Sequence, residues 1–521
     1  MTTMKKIDWK RCQRAVVFAC SFVSVLLLSA CVQNPVTGKK DLLLVDEGWE
    51  LQIGAQQYLP LRQQQGGDYN ADPKVESYVR AVGMKLAAQS DRKLPYEFNV
   101  INDSTPNAWA LPGGKISINR GLLVELSSEA ELAAVLGHEV VHAAAKHGAQ
   151  GFTRGIGLQV GVVTATILAE SNGYDGQIAQ LASSAGAQII NSQYGQGAEL
   201  ESDRYGMEYM QRAGYDPQGA VELQRTFLQL SQGQGNNPLS RLFASHPPSI
   251  KRVQENMKTA TRLPKGGITG EREYQQAMAN LIKTKEAYEA HDKAQLALQQ
   301  GNTKQASALL NQAIKIEPRE SRFHTLAGDI ALSQRNLPAA QQAFTRAIDL
   351  NAEFFYNYVQ RGRISEAQNN LAAARADYAR SVRLLPTATA QLGLGQFAES
   401  QGNTQVARRF YTLAAQAGSS EGQRAKQALL RLQPDANSNK NTSLLVRQGL
   451  SRSGEFVIEV INQTSRPVSN IRLGVKMGSS PQQELGIRRA IQPGDRRLIE
   501  TGKRLTRSQV SQVQVVVLRA D

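Results

Sequence analysis

Residues 136–148 read LGHEVVHAAAKHG and contain the residue types of a hydrolytic metal site. His138 and His142 are four residues apart, a spacing that puts two side chains on one face of an α-helix. Neutral imidazoles at this spacing can share one Zn²⁺ ion. Glu139 lies beside the first histidine, where its carboxylate can accept a proton from an attacking water. The pentad therefore predicts a zinc-dependent hydrolase.

The third protein ligand has two candidates. His147 is near in sequence, but five residues after His142 it lies about 140° around a helix, which turns it away from the metal. Glu199, in the later segment AELESDRYG, would complete a His₂Glu set. Asp203 would then share a helix face with Glu199 and could hydrogen-bond a ligating histidine. Glu201 lies about 200° around the helix from Glu199, which makes a solvated helix face its simplest interpretation.

The elements that position these residues belong to a mixed α+β region, which we predict over residues 66–265. Ser128 and Glu131 have the spacing of a capping box at the start of the helix that carries the pentad. The segments YEFNVIND and KISIN have the alternation of strands, with the turn-rich STPNAWALPGG between them.

The N-terminus has the pattern of an export signal. A basic segment, a short apolar stretch and the sequence LSAC predict a lipoprotein signal peptide over residues 1–30, with lipid attached to Cys31. The alternatives are an uncleaved anchor or an ordinary signal with a chance cysteine. Residues 31–65 are predicted to form an arm and a helix. We therefore expect a periplasmic protein that is anchored by its lipid, with the outer membrane as the favoured site.

Residues 270–433 contain an internal repeat. Four similar segments place asparagines at positions 302, 336, 370 and 403, which is the period of tetratricopeptide repeats. Such repeats form an all-α solenoid with a concave groove; a non-repetitive helical bundle is the alternative. A polar linker (434–442) and alternating strands that predict an all-β sandwich (443–521) follow.

The composition gives a formal net charge of +15 at pH 7. A basic surface favours anionic partners such as lipid headgroups or acidic proteins. The chain has no zinc finger, aromatic-rich RNA-binding motif or basic recognition helix, so a nucleic-acid partner is not expected.

The blocks NAWALPGGKISINRGLL, HEVVH, ELESDRYG and SHPPSIKR occur in this order, and in this the sequence resembles the zinc metallopeptidases related to HtpX and the CAAX prenyl proteases. Because repeats follow the peptidase region, it is similar to a soluble periplasmic branch of that family. The resemblance implies a gluzincin-like fold and one zinc ion per chain. It also implies that Glu199 is the third zinc ligand and that Asp203 supports a histidine ligand.

The same resemblance assigns further roles in catalysis. It places His246 and Arg252 near the reaction centre, where they could stabilise the oxyanion. A second possibility is that His246 occupies the open zinc position and makes the resting enzyme latent. One strand would pair with an extended substrate backbone. That strand comprises Lys115, Ile116, Ser117 and Ile118.

Together these features predict a lipid-anchored periplasmic zinc metalloendopeptidase that acts on unfolded or misassembled envelope proteins. The repeats would recruit clients, such as outer-membrane proteins, or their assembly machinery. The competing hypothesis is a chaperone or assembly scaffold whose protease site is occluded or vestigial.

Overall fold

The structure of the chain is a computed structural model. It divides into two units, one up to Phe397 and one from Ala398 onward. The predicted signal peptide (1–30) and linker (434–442) lie outside the described residues. The described residues are 31–155, 194–231, 246–432, 444–451, 453–477, 481–510 and 512–520.

The peptidase region of the first unit is built around a three-stranded sheet. The strands are β3 (Glu97–Ile101), β4 (Ala108–Leu111) and β5 (Lys115–Asn119). Their order is β3-β5-β4, so β5 is the central strand, parallel to β3 and antiparallel to β4. All five residues of β5 are buried, as expected for a strand with neighbours on both sides.

The sheet packs against helices that provide the functional side chains. The helix that follows Ser128 begins as predicted, since the Ser128 hydroxyl accepts the Glu131 N–H at 3.1 Å. The Glu131 carboxylate accepts the Ser127 N–H at 2.6 Å, one residue before the predicted partner. The helices of this region are α2 (Pro73–Ala87), α3 (Arg120–Leu123), α4 (Glu129–Ala144), α5 (Gln196–Arg212), α6 (Gln218–Ser231), α7 (Ile250–Arg262), α8 (Glu271–Ala277) and α9 (Ala279–Lys283).

Helices α4 and α5 approach each other closely at a pair of glycines. A Cβ atom at Gly206 would lie 3.1 Å from the carbonyl carbon of Gly137 and from the His138 nitrogen. Glycine at both positions lets the two backbones approach without this clash. The contact brings the histidines of α4 within reach of the carboxylates of α5.

An N-terminal arm precedes the sheet. Strands β1 (Cys31–Gln33) and β2 (Lys40–Leu42) form an antiparallel hairpin, and α1 (Glu47–Gln64) follows. The Asp46 side chain caps α1 by accepting the Trp49 N–H at 2.8 Å.

The repeat region consists of consecutive helices that pack against one another. The predicted asparagines are N-caps: the side chains of Asn302, Asn336, Asn370 and Asn403 each accept the N–H of the third residue that follows. The hydrophobic core runs from the peptidase region into the first repeats, where it includes Phe323. The repeat helices of the first unit are α10 (Lys285–Gln299), α11 (Thr303–Ile316), α12 (Ser321–Ser333), α13 (Leu337–Leu350), α14 (Phe355–Ala367) and α15 (Leu371–Leu384), and α16 (Ala388–Ser400) runs across the unit boundary.

The second unit continues with α17 (Thr404–Ala414) and α18 (Ser420–Leu432). Two three-stranded antiparallel sheets follow, with orders β10-β7-β6 and β11-β8-β9, and their inner faces share one apolar cluster. The last described helix is α19 (Arg507–Val510). The strands are β6 (Leu444–Leu450), β7 (Glu455–Asn462), β8 (Ile471–Met477), β9 (Gln483–Ile487), β10 (Arg496–Arg504) and β11 (Val513–Arg519).

The predicted fold class is confirmed: an α+β region, an all-α repeat region and an all-β sandwich succeed one another. Within the part of the chain that the structure describes, no helix is both long and apolar enough for a membrane span.

Candidate metal centre

Four buried side chains converge between α4, α5 and the loop before α7. His138, His142, Glu199 and His246 each offer one ligand atom, and these atoms all lie within 4.8 Å of one another. The Nε2 atoms of His138 and His142 are 2.9 Å apart, and Glu199 oxygens lie 3.5 and 3.3 Å from them. Two imidazoles and a carboxylate are the donor set expected for zinc, so the residues present fit this ion.

The two histidines and Glu199 reach the centre as the sequence predicts. His138 and His142 lie on one face of α4, and Glu199 occupies the first turn of α5. Each of the three is at most 8% exposed, so their polar atoms depend on one another rather than on water.

Asp203 supports the first histidine. Its Oδ1 lies 2.9 Å from His138 Nδ1, so His138 donates from Nδ1 and its Nε2 atom faces the other donor atoms. Arg252 in turn holds Asp203 with two hydrogen bonds of 2.7 Å, from Nε and Nη2. The predicted contact between Asp203 and a histidine ligand is therefore present in the structure.

Arg252 lies in the centre, but its guanidinium is directed at protein acceptors. Besides Asp203, it contacts Glu199 Oε2 at 2.9 Å and the Pro247 carbonyl at 3.3 Å through Nη1. A guanidinium held in this way orients carboxylates. This geometry favours a positioning role for Arg252 over the predicted contact with an oxyanion.

His246 contributes a fourth donor atom. Its Nδ1 lies 3.1 Å from Glu199 Oε1 and 3.3 Å from His138 Nε2, and the side chain is buried. The other ring nitrogen, Nε2, is 3.6 Å from Glu139 Oε1. His246 therefore lies where a fourth ligand would bind, as the latency hypothesis requires.

Glu139 lines a small, partly open cavity. Its Oε2 is buried and has no hydrogen-bond partner among the described residues. The cavity measures about 40 Å³ and is also lined by Ala108, His138 and His246. This volume is enough for one water molecule. Burial raises the pKa of Glu139, as expected for a group that exchanges a proton during catalysis.

The pKa values of the other groups describe a site that favours one positive charge. Burial lowers the pKa of His142 well below its usual range. Burial also acts to lower the pKa of His138, but Glu199 and Asp203 outweigh it and raise that pKa to about 10. Burial acts to raise the pKa of Glu199, yet His246 and His138 hold it well below its usual range. Besides the positive charge of Arg252, which contacts both carboxylates, Glu199 and Asp203 thus favour one further positive charge in the centre, as a site for a cation requires.

The predicted substrate strand is wrong. Lys115, Ile116, Ser117 and Ile118 belong to β5, which pairs with β3 on one side and β4 on the other, so their backbone has no vacant edge. The prediction failed because the sequence does not reveal that β3 lies beside β5. Strand β4 is an edge strand of the sheet, and its first residue, Ala108, lines the cavity beside Glu139.

Sequence reasoning also missed the surroundings of His142. Tyr194 stacks on its ring, with centroids 3.9 Å apart. His147 lies off the metal, as predicted, but it is buried and its Nδ1 is 2.9 Å from His142 Nδ1. Glu201 contacts His147 at 3.2 Å instead of forming a solvated face. No periodicity in the sequence predicts the contacts of Tyr194 and Glu201, because each joins segments about 50 residues apart.

Comparisons with known proteins agree with this architecture. Residues 73–260 match the model of Peptidase family M48, and residues 291–353 and 353–422 match a tetratricopeptide repeat model. The chain is 28% identical over 197 residues to the beta-barrel assembly-enhancing protease of Yersinia pestis, covering 37% of this chain and 40% of the relative. It is 35% identical over 182 residues to the mitochondrial metalloendopeptidase OMA1 of Schizosaccharomyces pombe, covering 34% and 51%.

A third relative is the metalloprotease LoiP of Escherichia coli strain K12, 29% identical over 182 residues that cover 35% of this chain and 67% of LoiP. The matched region thus spans about two fifths of the first of these relatives. The predicted resemblance to metallopeptidases with repeats is confirmed. The chain contains a metallopeptidase domain of family M48, and tetratricopeptide repeats follow it.

Proposed function

We propose that the chain is a zinc metalloendopeptidase of the bacterial envelope. The observation that carries this proposal is the convergence of His138, His142 and Glu199 beside a buried oxygen of Glu139 that has no hydrogen-bond partner within the described part of the chain. When bound by these three ligands, zinc supplies Lewis-acid polarisation of the scissile carbonyl and acidifies water.

Glu139 acts as the general base. Its carboxylate accepts the proton of the attacking water and passes it to the nitrogen of the leaving amine as the C–N bond breaks. Asp203 keeps the Nδ1 proton of His138 in place throughout, and Arg252 fixes the positions of the Asp203 and Glu199 carboxylates. The substrate backbone pairs with the outer edge of β4, which extends from the cavity beside Glu139.

The expected substrates are unfolded or misassembled envelope proteins. The relative from Yersinia pestis is named for enhancing β-barrel assembly, which supports clients or assembly machinery at the outer membrane. We further propose that lipid on Cys31 anchors the chain on the periplasmic side. Its position directly after LSA supports this anchor.

A cavity between the peptidase region and the first repeats supports client recruitment. It measures about 730 Å³, and Gln63, Arg322, Asp329 and Phe354 contribute to its walls. Arg322 lies over the Phe354 ring at 5.6 Å from the centroid. Polar, charged and aromatic groups around one concave space suit an extended polypeptide better than a small apolar ligand.

The test is substitution of the general base. Glu139→Gln should retain zinc but lose hydrolysis of an unfolded substrate such as casein, by at least about a hundredfold. Glu208→Gln, at a half-buried position where the side chain pairs with Arg204 on α5, is the matched control and should cleave like the wild type. Full turnover by Glu139→Gln would overturn the proposed mechanism.

One observation favours the competing function, a chaperone or scaffold with an occluded site. His246 Nδ1 lies among the donor atoms, where it would fill the position that the substrate needs. If occlusion is the resting state of an enzyme, His246→Ala raises peptidase activity. If the chain is a scaffold, Glu139→Gln complements a deletion strain and His246→Ala cleaves no substrate.

A further inference from the structure

We propose that His147, Glu201 and Asn34 form a hydrogen-bonded relay behind His142, which orients this ligand and couples the N-terminal arm to the metal site. The relay rests on the proposed zinc site, since its purpose is to fix one of the three ligands. Each member acts through its neighbour, so all three are positioning residues.

The backbone turns His147 toward His142 at the end of α4. The helix ends at Ala144, and Lys146 adopts a left-handed conformation with φ of 62°. This conformation is uncommon for a residue with a side chain. It brings His147 Nδ1 to 2.9 Å from His142 Nδ1, whereas a continuous helix would have pointed His147 elsewhere.

The contacts specify one tautomer for each ring. His142 directs Nε2 at the donor cluster, so its proton lies on Nδ1 and is donated to Nδ1 of His147. His147 must then carry its own proton on Nε2, which lies 3.2 Å from Glu201 Oε1. The carboxylate thus fixes the orientation of His142 through an intervening imidazole.

The two histidine ligands are therefore supported in different ways. Asp203 accepts directly from His138, and Arg252 neutralises Asp203. Glu201 serves His142 through His147, and no lysine or arginine of the described residues forms an ion pair with Glu201. Because Glu201 accepts hydrogen bonds only from this relay within the described residues, its negative charge can polarise the imidazoles of His147 and His142.

Asn34 links the relay to the arm. Its Nδ2 lies 3.3 Å from Glu201 Oε1 and 3.4 Å from the Ala145 carbonyl, and the side chain is only 4% exposed. The same amide contacts Asp41 on strand β2 of the hairpin at 3.0 Å. Because Asn34 lies three residues after Cys31, displacement of the anchored arm would remove a hydrogen bond from the carboxylate that supports His142.

The experiment measures zinc affinity of the full chain by competition with a chelating indicator. His147→Ala should weaken binding by roughly 10- to 100-fold, the effect typical of lost support behind a ligand. Glu201→Gln keeps the shape and an acceptor oxygen but loses the charge, so a weakening of about 3- to 10-fold is expected, with a smaller one for Asn34→Ala. Glu208→Gln, on the same helix, should bind zinc like the wild type.

Two further measurements separate positioning from structure. The melting temperature of the zinc-free chain should be the same for wild type and Glu201→Gln, while ¹⁵N NMR of labelled imidazoles should show the Nδ1–H tautomer of His142 in the zinc-loaded wild type. Variants that bind zinc as tightly as the wild type would overturn the relay alone. A wild-type chain that binds no zinc would overturn the proposed function as well.

Discussion

The metal centre and the repeat helices use polar residues in opposite ways. In the centre, carboxylates, imidazoles and a guanidinium are buried within hydrogen-bond distance of one another. In the repeats, the recurring polar residue is an asparagine at the start of a helix, and apolar residues such as Phe344 form a buried cluster between the helices. The charged side chains of the centre are stabilised by residues that are distant in sequence. Each asparagine cap in the repeats, in contrast, accepts a hydrogen bond from its own helix. Single substitutions should therefore have large effects in the centre and small ones in the repeats.

The largest effect is expected from loss of a ligand. His142→Ala should weaken zinc binding about a thousandfold, since one of three ligands accounts for roughly a third of a binding free energy of about 10–16 kcal/mol. The far-UV circular dichroism of the repeat helices should not change. Chelator competition measures the affinity, and a loss smaller than tenfold would show that His142 is not a ligand.

A matched pair of arginines compares the two regions directly. Arg252→Ala leaves Asp203 and Glu199 buried without their cation, which should destabilise the peptidase region by about 3–5 kcal/mol. Arg361→Ala removes a two-bond contact with the buried Asp377 in the repeats, but Arg361 is 24% exposed, so a smaller loss of about 2 kcal/mol is expected. Urea unfolding followed by tryptophan fluorescence and by circular dichroism gives both values. Equal losses of unfolding free energy in the two variants would contradict the proposed difference between the metal centre and the repeats.

Asp329 is an exception within the repeats, because it is a partly buried acid in the wall of the large cavity. Burial raises its pKa to about 6, although Tyr356 donates to it at 2.9 Å. The folded state therefore holds a proton that the unfolded state releases at a pKa near 3.9, so stability falls as pH rises through this window. Asp329→Asn should raise stability by on the order of 1–2 kcal/mol at pH 8, after allowance for partial solvent exposure.

The gain from Asp329→Asn should shrink as the pH is lowered from 8 to 4.5, because the wild-type carboxyl becomes protonated. Melting temperatures of both proteins across this range test the sign. Asp349→Asn, at an exposed position on α13, is the control. A gain that is independent of pH would exclude Asp329 as the titrating group.

The smallest effect is expected at a repeat cap. Asn336→Ala removes the acceptor for the Ala339 N–H, which should cost about 1 kcal/mol. Asn336→Asp preserves the acceptor and should retain most of the stability. Thermal unfolding followed by circular dichroism gives both values. An unchanged melting temperature for Asn336→Ala would contradict the capping role.

The same contrast explains what the sequence could predict. The repeats were predictable because the asparagines at 302, 336, 370 and 403 form contacts with residues only three positions away. The face shared by His138 and His142 was predictable for the same reason. Glu199 required a resemblance to known peptidases, because its distance from His142 in the chain carries no local signal.

What the sequence could not provide was the order of elements in space. The sequence predicts that strand β5 pairs with substrate. In the folded sheet, β3 and β4 pair with its two edges, and the sequence alone does not reveal this. Helical geometry correctly turned His147 away from the metal. It could not show that the left-handed turn at Lys146 would place His147 behind His142, or that Glu201 would meet it there.

The central claim is that His138, His142 and Glu199 bind one catalytic zinc ion. Elemental analysis of the purified, zinc-reconstituted chain tests it most directly, with Glu139→Gln and Glu199→Ala measured in parallel. We predict one zinc per chain in the wild type and in Glu139→Gln, and essentially none retained by Glu199→Ala after dialysis. Stoichiometric zinc in Glu199→Ala, or its absence from the wild type, would contradict the account.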